Sequence, residues 1–80
     1  PALTEERRIQ LVKQVKSEIE DAKISIRNAR KDANNEIKKS ESFSEDMKKN
    51  AELDIQEITN NFISKIDQVF EIKQKEIMTV

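Results

Sequence analysis

The chain has 80 residues, 35% of them hydrophobic and 39% charged, with no Gly, Cys or His, a single Pro and a net charge of −1. This bounds it to one small domain with a lean core. Without Gly, tight hairpins and glycine-rich phosphate loops are excluded; without Cys and His, so are disulfide frameworks, thiolate nucleophiles, the usual zinc sites and the commonest general base.

The Lys-, Glu-, Ile- and Gln-rich remainder is the composition of long helices and coiled coils. Pro1, Ala2 and Leu3 read as an extended entry. Thr4 reads as the N-cap of a first helix, its hydroxyl placed to accept from a free amide of the first turn. Glu5 and Glu6 follow where the helix dipole favours acids. Nothing breaks this helix before about Ser40. Its apolar positions Val12, Val15, Ile19, Ala22, Ile26, Ala29 and Ala33 alternate steps of 3 and 4, and Ile37 continues them. That is a heptad seam, and Ala22, Ala29 and Ala33 would let a neighbouring helix approach closely.

Residues 40–44 form the turn-like cluster. Ser44 reads as the second N-cap, with Glu45 and Asp46 in the first turn and Phe43 as a hydrophobic staple; Ser42 with Glu45 is a rival capping box. The second helix then runs to about Met78. Ala51, Ile55, Ile58 and Phe62 make one seam, and Ile63, Ile66, Phe70 and Ile77 another, with Val69 between them. Each helix is about 50 Å long. Equal lengths and a short link predict an all-α fold, a long antiparallel helical hairpin. The second helix's stripe is wider than one partner can cover: Phe62, Ile63, Ile66 and Phe70 cannot all face the first helix. A third helix, or self-association through these four residues, is therefore expected.

The charge is uneven. Residues 1–40 carry 10 basic and 7 acidic side chains, net +3, and residues 41–80 carry 5 and 9, net −4. All four Arg lie in the first half. At about 100° per residue, Lys16, Lys23, Arg27, Arg30, Asn34 and Lys38 share one strip of the first helix, with Lys31 at its edge and Glu20 intruding. The strip is expected about 90° from the seam and about 30 Å long. Cations so arrayed suit a phosphate backbone, and Arg suits it better than Lys. The plain alternative is a solvated helix face with i, i+4 pairs. Few aromatics leave no base-stacking platform, so backbone and shape contact with RNA fits better.

Other chemistry finds no footing. Asp32 and Glu36 would need Glu-x-x-His partners to hold a bundle metal site, and Ser25 and Ser44 have no base to activate them. No cofactor is expected. No apolar run of about 18 residues is long enough to span a bilayer, no signal region opens the chain, and the apolar faces lack the Trp of membrane-surface helices. A start at Pro1, without an initiator Met, is expected of a piece of a longer protein.

Five segments together resemble the C-terminal part of the bacterial ribosome recycling factor family. They are residues 1–8 (Pro-Ala-Leu-Thr-Glu-Glu-Arg-Arg), residues 27–34 (Arg-Asn-Ala-Arg-Lys-Asp-Ala-Asn), residues 44–46, residues 55–59 and residues 75–78. The resemblance covers essentially the whole chain. It implies two helices of a three-helix bundle, the first bundle helix and a small β domain preceding Pro1 in an L-shaped protein. It also implies a cytoplasmic or organellar translation factor, not an enzyme. Such a factor binds the large ribosomal subunit near the peptidyl-transferase region and, with elongation factor G and that partner's GTP hydrolysis, splits post-termination ribosomes. Arg27 and Arg30 match the family's RNA-contacting arginines. Lys31 stands where many members have a third arginine, and Asn60 where the family usually has Asp. The rival reading is a structural coiled-coil or oligomerisation module without RNA binding.

Overall fold

The computed structural model describes residues 3–79. Two helices make up nearly all of it: α1 over Glu5–Lys39 and α2 over Glu45–Met78. They lie antiparallel as one rod of 61 × 15 × 12 Å. An unbroken helix is what a segment without Gly or internal Pro should form. Both N-caps fall as the sequence indicates. The Thr4 hydroxyl accepts from the Arg7 amide at 3.1 Å. The Ser44 hydroxyl accepts from the Met47 amide at 3.2 Å, so Ser44 and not Ser42 opens α2.

The α1 seam packs as its spacing requires. Val12, Val15, Ile19, Ala22, Ile26, Ala33 and Ile37 are half-buried, and Ala29 stays exposed. On α2 the seam crosses between the two expected rows: Ala51 and Ile55, then Ile63, Ile66, Phe70 and Ile77 are half-buried. The crossing point is Thr59, at 6% exposure the one buried residue among those described. Its hydroxyl donates to the Ile55 carbonyl at 2.8 Å, so the polar group is satisfied one turn back and its methyl serves the seam. Among the described residues no hydrophobic side chain is fully buried.

Of the four grouped residues only Phe62 belongs to the surplus on α2, and the rest of it falls on other side chains. Ile63, Ile66 and Phe70 turn toward α1. Phe62 stays 53% exposed, and Ile58, Val69 and Ile72 are likewise more than half exposed. These four share one side of α2, within about 80° of arc.

Each end of the hairpin is tied by a cation reaching across it. Arg8 is the fourth residue of α1. Its guanidinium donates to the Ile77 carbonyl at 2.8 Å and the Thr79 carbonyl at 2.6 Å, and through Nε to the Leu3 carbonyl at 3.3 Å. Lys48 is the fourth residue of α2, and its ammonium donates to the Lys38 carbonyl at 3.2 Å. In an antiparallel pair the start of each helix lies beside the end of the other, where carbonyls are unsatisfied and the dipole is negative. The sequence prepares both ties with one pattern, a hydroxyl cap, two acids, one spacer and a base: Thr4-Glu5-Glu6-Arg7-Arg8 and Ser44-Glu45-Asp46-Met47-Lys48. Arg8→Met is expected to cost about 1 kcal/mol and to speed amide exchange selectively over residues 74–79. Exchange measured by NMR, compared with Lys48→Met at the other end, checks this.

Candidate nucleic-acid interface

The strip of α1 is not one uniform surface. Arg27, Lys31 and Lys38 are exposed, and none of them takes part in an ion pair among the described residues. They stand on a helix fixed from both ends, toward the turn. Charges so placed are fully hydrated and available to an incoming anion.

The other members are drawn toward α2, and the strip is not clear of the seam as the angular count predicts. Lys23 is the extreme case. Its ammonium pairs with Asp67 of α2 at 2.5 Å and with Glu20 at 3.9 Å. Its side chain is 14% exposed, against 56% for Asp67. Arg30 is half-buried and helps to line an apolar groove of about 340 Å³ with Ala29, Ala33, Ile58, Thr59 and Phe62. Asn34 is half-buried too, with Oδ1 out of solvent and without a hydrogen-bond partner. Lys16 is exposed but lies at the open end of the hairpin, beside an apolar hollow. The physical reason is drift. A helix of 3.6 residues per turn does not hold a 3.5-residue repeat on one line. Over 35 residues the face turned to α2 rotates toward Lys23, Arg30 and Asn34.

Reading α1 alone missed a cation from α2. Lys49 faces Asn34 across a shallow cleft that Glu52 and Gln56 also line. Lys49, Gln56 and Asn60 recur at 7 and 4 residues, so an angular count on the second helix would have found the row. Gln56 spends its amide on Asn60 at 2.9 Å. Among the described residues no group of three or more Asp or Glu is gathered as metal ligands would be, and no helix is long and apolar enough to cross a membrane.

The arrangement is a straight basic edge beside uncovered apolar surface. It lies within a span, residues 1–78, that matches the ribosome recycling factor family. The chain belongs to that family. Over its whole length it is 58% identical to the ribosome-recycling factor of Flavobacterium johnsoniae, 55% to that of Parabacteroides distasonis and 53% to that of Bdellovibrio bacteriovorus. It covers 44%, 44% and 45% of those proteins respectively. The chain therefore spans a little under half the length of the curated relatives it matches. No solved structure matches it at a significant level. The motif from Arg27 to Asn34, on which the family resemblance leaned, falls on the half of α1 that carries the exposed cations Arg27, Lys31 and Lys38.

Since Asp67 already holds Lys23, the two halves of the strip should respond differently to charge removal. Lys23→Met is expected to lower stability by no more than about 1 kcal/mol, the range of partly exposed ion pairs. Where an RNA backbone is the counterpart of the strip, Lys23→Met should also change RNA affinity by less than about threefold and Lys31→Met by more. Urea melts and RNA titrations of the two variants make the comparison.

Proposed function

We propose that the chain is the helical arm of a ribosome recycling factor and binds the large ribosomal subunit through phosphate and ribose contacts to its RNA. The observation that carries this reading is the set of uncommitted cations Arg27, Lys31 and Lys38 on a rigid helix, in a chain of this family. A phosphate backbone meets such a row by releasing its own counterions. Arg30, half-buried beside the apolar groove, adds a planar fork that suits phosphate. Lys16 extends the positive potential toward the open end. The contacts are with backbone and shape, since the strip presents no aromatic platform.

In the full-length factor the same arm works with elongation factor G to dissociate post-termination ribosomes in the cytoplasm. It binds and positions, and the nucleotide chemistry belongs to the partner. A third helix completes the bundle there by covering Ile58, Phe62, Val69 and Ile72. Without it, this hairpin pairs with another copy through the same exposed face, Phe62 among its members, while Ile63, Ile66 and Phe70 stay turned toward α1. The alternative of a purely structural coiled-coil module finds no support in the family match.

The test is Arg27→Glu with Arg30→Glu. Binding of the chain to isolated large ribosomal subunits, followed by co-sedimentation, is expected to fall at least about tenfold while helicity by circular dichroism is unchanged. Undiminished binding, or no binding by the unsubstituted chain, would overturn the RNA reading and favour the structural one.

A further inference from the structure

The Lys23–Asp67 pair divides the strip, and beyond it, at the open end, the surface changes character. Here the two helices leave a hollow of about 440 Å³ between them. Val12 and Phe70 are half-buried at its floor, and Ile9 and Met78 are exposed walls. Lys13 and Lys16 stand on the α1 rim. Neither lysine forms an ion pair among the described residues, and no carboxylate lines the hollow. Two uncompensated positive charges thus border an apolar depression.

A nucleic-acid backbone answers the charges and not the hollow, because it has no apolar group to seat there. An uncharged apolar segment answers the hollow and leaves the lysines without a counter-charge. We infer that the hollow is a docking site for an acidic amphipathic helix of a partner protein, one apolar side chain seated among Ile9, Val12 and Phe70, with Gln74 at its edge, and its carboxylates on Lys13 and Lys16. The two lysines are three residues apart, about 4.5 Å along the axis. That is the separation of two carboxylates one turn apart on a helix lying alongside α1, and so the mode is a helix in a groove. The site shares only Lys16 with the basic strip, lies at the opposite end of α1 from Arg27, Lys31 and Lys38, and does not rest on the RNA reading.

The probe is a fluorescein-labelled 14-residue peptide with leucines at helical i, i+4 spacing and glutamates one turn apart on the flank. A control peptide replaces every leucine with glutamine. Anisotropy titration at physiological salt is expected to give saturable binding of the leucine peptide and binding at least about tenfold weaker for the control. Lys13→Glu with Lys16→Glu, both exposed positions, should weaken the leucine peptide at least about tenfold with helicity unchanged. Ile9→Gln, which keeps the charges, should weaken it as well. Three outcomes overturn the inference: no binding of the leucine peptide, equal binding of the glutamine control, or binding indifferent to the lysine reversal. The second would mean charge attraction alone, and the third a seat on the other apolar face.

Discussion

A single helix–helix seam is the constraint on which everything else in this molecule depends. Two helices can bury one side of each other and no more, and in this rod not one described hydrophobic side chain is fully removed from water. The seam runs along α1 from Val12 to Ile37 and along α2 from Ala51 to Ile77, with Val12 beside Phe70 at the open end and Thr59 the one buried residue among those described. Because so little is buried, ends matter more than in a globular domain. Helices this long would otherwise fray from their carbonyl ends. The ties from Arg8 and Lys48 close both ends with the same device, a base one turn into each helix serving the carbonyls of its neighbour. What remains outside the seam is then free for partners, and it sorts into three surfaces: the cations toward the turn, the lysine-rimmed hollow at the open end, and the apolar face of Ile58, Phe62, Val69 and Ile72.

The seam also decides which charges can act. Lys23 sits in the same angular strip as Arg27, yet the drift of α1 against α2 brings it to Asp67, while Arg27 stays in water. Arg30 is intermediate, half-covered by the groove that also holds Phe62. A partner seated in that groove would restrict the Arg30 stem and reduce the entropy lost when its guanidinium meets a phosphate. Under the proposed RNA reading, covering the apolar face and binding RNA would be coupled through Arg30.

The hairpin was readable because its signals are local and redundant: the 3-and-4 spacing from Val12 to Ala33, the Thr4 and Ser44 caps, and the absence of any breaker within either helix. Arg27 and Lys31 were readable for the same reason, since their exposure follows from their own helix. The partial burial of Lys23, Arg30 and Asn34 was not legible because an ideal 100° wheel places residues relative to their own axis, whereas burial depends on where the other helix crosses. Asp67 is 44 residues from Lys23, and nothing in either local pattern announces the pair. Thr59 was passed over as polar. A threonine that bonds its own preceding turn is apolar toward its neighbour, and that is visible only once α1 is in place. Arg8 was noticed as part of a motif, but its role needs the far end of the chain beside it.

One seam leaves the Ile58–Phe62–Val69–Ile72 face unsatisfied. Sedimentation equilibrium of the 80-residue chain over a range of concentrations tests it most directly. The expected result is a mass of two or more copies that returns to one on Phe62→Glu, with helicity retained. A compact monomer at every concentration, melting in one cooperative transition, would contradict it.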